Sequence, residues 1–243
     1  MKVKEGAAIL MCGLFSLSHS SKEVGTYFDY SAEVEFPPRD YVAPGQPMGI
    51  VRNGEHKCET IREFALVRWG FVPHWAKEVR PGKPLINARS ETITEKPSFR
   101  NAIKRRRCLV PASGFFEWHG DIPGRKQAYY IPCADGGLVG LAGIWEHWMG
   151  KDGSELESAA IITTVANETI APIHNRMPVV IFPKDFDAWL NGDNTPLEDA
   201  VALLEPAPDE LFAPHKVEMR RAARKKPEKP PEPKKEKNQL DLF

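Results

Sequence analysis

A cysteine near the start of the chain could carry unusual covalent chemistry. Met11 precedes Cys12, and Gly13 follows it. If Cys12 were the first residue, its thiol and its free α-amine would lie on adjacent carbons. That pair condenses with an aldehyde to a five-membered thiazolidine. Residues 1–10 come before Met11, however, so the chemistry requires that this leader be absent or removed.

Three other groups of residues could act as acids, bases or anion ligands. Asn87 and Arg89 follow an apolar stretch, Glu117 lies between aromatic residues, and His174 stands two positions before Arg176. If Glu117 lies on a strand, it shares a face with the phenylalanine two positions earlier, and an acid beside an apolar core suits general acid work. Each group also has an ordinary alternative: Asn87 could hold a turn, Glu117 could pair with an arginine, and His174 could be a loop histidine.

Short strands must position these residues. Strand-like runs cover 48–51, 64–69, 108–110, 114–118, 128–132, 138–145, 159–165 and 179–182. Asn53-Gly54 predicts the hairpin turn between the first two runs. Helices are predicted at 98–106 and 183–190, and a capping box at Thr195-Pro196-Leu197-Glu198 predicts a third that ends near residue 204. Many short strands with few helices favour an α+β fold, with an antiparallel sheet or barrel and helices packed outside.

Length and composition fit one domain with a tail. The 243 residues are 42% hydrophobic, which is enough for one sizeable core. Lys+Arg and Asp+Glu number 33 each, so the net charge alone indicates no nucleic-acid partner. The cysteines lack the spacing of a disulfide framework or a zinc site, and Cys58, Cys108 and Cys133 are expected to be buried. We predict no metal and no cofactor.

The apolar stretch at the N-terminus superficially resembles a lipoprotein signal that ends at Cys12. It is short, it continues past the cysteine, and Met11 stands where cleavage needs a small residue. No apolar run approaches the ~18 residues that a membrane-spanning helix requires. We therefore expect a cytoplasmic protein with no membrane partner.

The composition changes after residue 219. Residues 220–237 are basic and rich in proline, which predicts a disordered, extended tether. A solubilising tail would explain the tether but not the apolar residues at its end. That final segment resembles the pentapeptide by which bacterial DNA polymerases and repair proteins dock on the β sliding clamp. Its polar anchor is Gln239 and its apolar plug is Leu242 with Phe243. Leu240 and Asp241 lie between them.

Separated motifs occur in the order seen in one protein family. From Cys12 to about residue 217 the chain resembles the SOS response-associated peptidase (SRAP) family. The motifs that carry the resemblance are Met11-Cys12-Gly13, Ala43-Pro44-Gly45, Arg68-Trp69-Gly70-Phe71-Val72-Pro73 with Trp75, Asn87-Ala88-Arg89-Ser90-Glu91-Thr92, Lys96-Pro97-Ser98-Phe99, Arg107-Cys108-Leu109-Val110-Pro111, Gly114-Phe115-Phe116-Glu117-Trp118 and Ile173-His174-Asn175-Arg176-Met177-Pro178.

The resemblance implies a compact antiparallel β-barrel-like core with short flanking helices, occupying residues 12–219. It implies a protein that binds abasic sites in single-stranded DNA and links to them through Cys12, a lyase-like activity that shields the lesion during replication and the SOS response. By the same resemblance Glu117 shuttles protons, His174 assists opening of the sugar ring and Asn87 orients the amine. A monomer near the nucleoid is expected.

The resemblance also implies how the DNA is held. Arg89 and Arg176 suit contacts with phosphates, which position DNA without reading its sequence. Trp69, and with it Pro44 and Trp75, offer flat apolar surface for exposed bases. A place in the core is the alternative for these three residues.

Two departures from the family pattern bear on function. Tyr41 stands where family members commonly have asparagine, which removes an amide from the DNA contacts. Residues 1–10 have no family counterpart, so either translation begins at Met11 and the methionine is trimmed, or Cys12 cuts the leader from its own chain.

Two functions of other classes stay open at the level of the sequence. One is a cysteine peptidase that uses the thiol of Cys12 with His174 and Glu117. The other is a non-catalytic adaptor that binds the sliding clamp through its tail.

Overall fold

Thirteen strands make up most of the regular structure in the part of the chain that is described. The computed structural model describes residues 13–31, 34–56, 59–79, 84–120, 122 and 126–219. Within them the strands are β1 Phe15–Leu17, β2 Arg39–Val42, β3 Pro47–His56, β4 Glu59–Trp69, β5 Asn87–Arg89, β6 Arg107–Ala112, β7 Gly114–His119, β8 Gln127–Pro132, β9 Val139–Met149, β10 Glu155–Val165, β11 Arg176–Pro178, β12 Val180–Ile181 and β13 His215–Val217.

The helices are short. They are α1 Ser21–Phe28, α2 Ala102–Arg105, α3 Phe186–Leu190 and α4 Leu197–Ala202, with 3₁₀ turns at Ser90–Thr92, Pro183–Asp185 and Asp209–Leu211. In the described part of the chain, none of the helices is long and apolar enough to cross a membrane.

Five strands close into a barrel. The ring runs β10–β4–β3–β6–β9 and returns to β10, because β9 and β10 also pair, from Glu155 opposite Met149 to Ile161 opposite Gly143. All neighbours in the ring are antiparallel except β4 and β10, whose parallel register sets Arg68 beside Ser158. β5 adds to β10 in parallel, whereas β11 and β12 extend the sheet with antiparallel pairs. The predicted α+β fold with a barrel-like core is confirmed.

A second sheet lies against the barrel. Its order is β13–β8–β7–β1–β2, and every pair in it is antiparallel. Phe15, Phe115 and Ile131 of this sheet share one buried cluster with Met48 and Trp69 of the barrel. Because this burial removes apolar side chains from water, it holds the two sheets together.

The strand predictions differ from the structure at one turn. Asn53 and Gly54 lie inside β3, opposite Arg62 and Ile61 of β4, so the prediction of a hairpin turn there is wrong. The two strands do pair antiparallel, but β3 ends only at His56 and β4 begins at Glu59. The turn composition of Asn-Gly was outweighed by the pairing of two long strands.

The helix predictions are only partly right. The segment 98–106 contains helix only at Ala102–Arg105, and α4 begins after Pro196 with no side-chain cap, so the capping box predicted at Thr195 is wrong. A complete capping box occurs instead at Ser20, where the side chain of Glu23 returns to the Ser20 N–H at 2.8 Å and begins α1.

Candidate active site

Strand β1 fixes where the beginning of the domain lies. It pairs antiparallel with β7, with Phe15 opposite Phe115, and the N–H of Phe116 donates to the carbonyl of Leu14 at 2.9 Å. Gly13 directly precedes Leu14 and Glu117 directly follows Phe116, so both residues lie at the same end of this strand pair. Cys12 itself lies outside the described residues.

Glu117 is an acid inside the protein. It lies on β7 opposite Tyr129 of β8, and only 2% of its surface is exposed. Gly114, Phe115 and Phe116, which precede it on the strand, are also buried. An acid in such surroundings is shielded from bulk water, which makes its hydrogen bonds and charge effects stronger than at the surface.

Trp69 connects the segments that carry the site. Its indole Nε1–H donates to the carbonyl of Ile86 at 3.0 Å, next to Asn87, and its ring meets Phe15 edge-on at 5.2 Å. It is fully buried. The prediction that Trp69 stacks on bases is therefore wrong, since no face of the indole is accessible. Its observed role is to hold β5 against β1.

The Ala43–Gln46 turn joins the same region. The N–H of Gly45 donates to the carbonyl of Trp69 at 2.8 Å, and the N–H of Trp69 donates to the carbonyl of Gln46 at 2.9 Å. Gly45 has φ +84°, which glycine adopts without strain after Pro44. Pro44 is half-buried at this turn.

Asn87 and Arg89 lie on one short strand. β5 pairs in parallel with β10, with Asn87 beside Ile161 and Arg89 beside Thr163. Asn87 is half-buried, whereas Arg89 is exposed. The exposure of Arg89 is compatible with the predicted phosphate contact, which stays a prediction.

Arg176 uses its guanidinium inside the protein. Both Nη atoms bond the carboxylate of Glu91, and Nη2 also donates to the carbonyl of Thr163 at 2.6 Å. Arg176 is 8% exposed. The expected open phosphate contact at Arg176 is therefore not what the structure shows, because the side chain is buried and both Nη groups already have internal acceptors. Hydrogen bonding from Arg176 lowers the pKa of Glu91, a residue that the sequence marked only by its place in the Asn87–Thr92 motif.

His174 stands two residues before Arg176 and is held by it. Its Nδ1 lies 3.1 Å from the backbone nitrogen of Arg176 and 3.2 Å from its carbonyl oxygen. Burial lowers the pKa of His174, and the positive charges of Lys126 and Arg176 lower it further against the effect of the backbone hydrogen bond. The imidazole is therefore neutral near neutral pH, and since the backbone holds Nδ1, exchange of a proton falls to Nε2.

Lys126, whose charge acts on His174, belongs to the second sheet's side of the molecule. It directly precedes β8, the neighbour of the strand that carries Glu117. Sequence reasoning gave Lys126 no role, because its effect depends on a spatial approach between residues far apart in the chain.

Trp75 is an exposed aromatic residue. It is 57% exposed, and its Nε1–H lies 3.4 Å from the carbonyl of Pro97. Its accessible face is compatible with the predicted stacking, and the role stays a prediction.

The remaining predictions concern thiols, metals and the termini. Burial raises the pKa of Cys133 to about 11 and that of Cys108 further, so neither is a nucleophile near neutral pH. Both are buried as expected. The described ranges contain no group of three His, Cys, Asp or Glu side chains that could hold a metal. Cys58, the leader, and the tail from residue 220 with its segment 239–243 lie outside the described residues.

The fold and the site define a class: an α+β barrel protein that carries a buried acid on β7, an amide on β5 and a neutral histidine just before β11. The chain belongs to the SOS response associated peptidase (SRAP) family, whose model matches residues 11–221.

Relatives support this membership over most of the chain. "Abasic site processing protein YoqW" of Bacillus subtilis is 36% identical over 200 residues, which cover 81% of this chain and 87% of that protein. "Abasic site processing protein HMCES" of Gallus gallus is 34% identical over 172 residues, 61% of this chain and 51% of that protein. A crystal structure from Bacteroides thetaiotaomicron has a TM-score of 0.74 at 27% identity, covering 85% of this chain and 92% of that one.

Proposed function

We propose that this chain processes abasic sites in single-stranded DNA by forming a covalent thiazolidine link through Cys12. The observation that carries the proposal is the pairing of β1 with β7, which brings the start of the domain beside the strand that holds the buried Glu117. The names of the relatives support the choice of lesion. The link would shield the lesion during replication and the SOS response.

The reaction begins with the α-amine. An abasic sugar exposes an aldehyde when its ring opens, and an α-amine with a reference pKa of ~7.7 is substantially neutral in the cell. The amine of Cys12 attacks C1′ and loses water to give a Schiff base. The thiol then adds to the imine carbon and its proton moves to nitrogen, which closes the ring. No electrophilic carbon is left to drive strand cleavage.

The described residues supply the proton transfers. Glu117 gives and takes protons as the carbinolamine loses water, Nε2 of neutral His174 assists ring opening, and Asn87 orients the amine and the sugar. We assign Arg176 to positioning, because its bonds to Glu91 and Thr163 hold the turn after β5 against β10 next to His174.

The exposed residues bind the DNA. Arg89 contacts a phosphate, while Trp75 and Pro44 offer apolar surface to bases. None of these contacts depends on base identity, so binding is expected to be independent of sequence.

The reaction requires Cys12 at the N-terminus. We therefore propose that translation begins at Met11 and the methionine is trimmed, or that Cys12 cuts residues 1–11 from its own chain.

The test uses protein whose Cys12 N-terminus is verified by intact mass, mixed with single-stranded DNA that holds one abasic site. A heat-stable adduct that borohydride does not reduce is expected, since a closed thiazolidine contains no imine. Cys12→Ser keeps the amine, so its adduct should become one that borohydride traps. Absence of any adduct from the verified protein would sink the proposal and favour a peptidase or an adaptor.

A further inference from the structure

The exposed Trp75 stands at the tip of a tight turn. The N–H of Ala76 donates to the carbonyl of Pro73 at 2.9 Å, which leaves His74 and Trp75 as the two central residues of the turn. Pro73 is buried, whereas His74 and Trp75 are exposed. A turn at the surface with one large apolar side chain needs support from below if that side chain is to keep one position.

Three side chains of the barrel supply this support, and we call them the Trp75 clamp: Glu146, Trp148 and Ser158. Glu146 and Ser158 face each other across β9 and β10, and Trp148 follows Glu146 by two positions on β9. They therefore share one face of the sheet.

Each clamp residue holds a different point of the segment around the turn. Ser158 Oγ accepts from the N–H of Val72 at 2.9 Å. Trp148 Nε1–H donates to the carbonyl of Ala76 at 2.7 Å. These two bonds fix the backbone on either side of Trp75, at Val72 and at Ala76.

Glu146 holds the centre of the turn. Its Oε2 lies 3.1 Å from Nδ1 of His74, and its Oε1 accepts from Nη2 of Arg106 at 2.8 Å and from the N–H of His147 at 3.1 Å. Glu146 is 2% exposed. A carboxylate only accepts hydrogen bonds, so Nδ1 of His74 carries the hydrogen. Three partners hold the buried carboxylate of Glu146 in one orientation, and its bond to His74 in turn holds the turn in place.

We propose that the Trp75 clamp positions Trp75 as a preformed platform for a nucleobase of single-stranded DNA. The proposal rests on the proposed function, in which Trp75 stacks on a base. Glu146, Trp148 and Ser158 are thus positioning residues, which act on DNA affinity through Trp75 and take no part in the covalent steps. Preformed aromatic surface raises affinity because no ordering is required on binding.

The test measures the affinity for undamaged single-stranded DNA by fluorescence anisotropy. Trp148→Phe removes the indole N–H and keeps a packed ring, and Glu146→Gln removes the charge. Each is expected to weaken binding by about threefold to tenfold, the range for one lost hydrogen bond. The rate constant for adduct formation at saturating abasic DNA is expected to stay unchanged.

A double-mutant cycle separates positioning from general destabilisation. In a Trp75→Ala background, Trp148→Phe should have no further effect on affinity, because the residue through which it acts is gone. The matched control is Trp145→Phe, the same substitution on the same strand, where the ring contacts Arg52 at 4.1 Å instead of the turn. This control should bind like the unmodified protein.

Several outcomes would overturn the clamp: wild-type affinity in Trp75→Ala, equal losses from Trp148→Phe in both backgrounds, or an equal loss in the Trp145→Phe control. Failure of the proposed chemistry looks different. In that case no adduct forms with abasic DNA, while the pattern of affinities for undamaged DNA still supports the clamp.

Discussion

His174 shows how surroundings prepare a residue for chemistry. Its ring is oriented by the backbone of Arg176, and its protonated form is disfavoured by burial and by two neighbouring cations. A neutral imidazole can accept a proton at once, whereas an imidazolium cannot. The arrangement therefore maintains a base at the pH of the cell.

Replacing Lys126 tests this account. Lys126→Met removes a positive charge that opposes protonation, so the pKa of His174 is expected to rise. The measurement is an NMR titration of the imidazole Cε1–H, with the signal assigned by its loss in His174→Gln. An unchanged or lower pKa in Lys126→Met would contradict the role given to that charge.

The same shift links pH to folding. Because the folded state disfavours the protonated form, the stability that His174 contributes is present above the unfolded pKa of ~6.5 and is lost as the pH falls through that value and below. The fall should be shallower in His174→Gln, as judged by urea unfolding at several pH values.

At this scale the sequence predicted residue types better than contacts. Asn87, Glu117 and His174 were found as candidates because amides, acids and imidazoles are uncommon in apolar motifs. The engagement of Arg176 by Glu91 was not predicted, and the burial of Trp69 was only the alternative to base stacking. Both depend on packing between distant segments, which no local pattern records.

Among the elements, the β3–β4 pair illustrates how tertiary pairing overrides a turn signal. Asn53-Gly54 has the composition of a two-residue hairpin loop, yet both residues are paired within the ladder. By contrast, the strand around Glu117 was predicted almost to its ends, because its aromatic residues favour a strand and glycines stand at 114 and 120 on either side of them.

Two glycine substitutions distinguish a strand from a turn. A Cβ on Gly54 would lie 2.9 Å from Oε2 of Glu63, the end of a flexible side chain, so Gly54→Ala should change the free energy of unfolding by less than about 1 kcal/mol. Gly45→Ala should cost about 1–2 kcal/mol, because φ +84° is strained for alanine.

Urea unfolding of the two variants provides the comparison. If Gly54 lay in a hairpin turn with positive φ, its substitution would cost as much as that of Gly45. Equal losses would therefore contradict the pairing of Gly54 with Ile61.

On the scale of the whole molecule, the composition after residue 219 predicts a tether that carries a docking segment. Deleting Gln239–Phe243 should abolish binding to the β sliding clamp in surface plasmon resonance, since Leu242 and Phe243 supply the apolar contacts. Adduct formation with abasic DNA should be unaffected.

A deletion of equal length inside the tether, residues 226–230, is the matched control and should retain clamp binding. Retained clamp affinity after loss of 239–243 would refute the docking role. The domain and the tail are thus tested separately.

The barrel itself has a consequence for the order of events during synthesis. Phe15 pairs with Phe115, and Arg68 of β4 pairs with Ser158 of β10, so both sheets join segments made far apart in time. About a hundred residues must be translated after β1 before β7 exists, which takes on the order of 5–20 s on the ribosome. Throughout that interval β1 has no β7 to pair with. Maturation enzymes thus have several seconds to act on the start of the nascent chain before folding brings β1 beside the acid of β7.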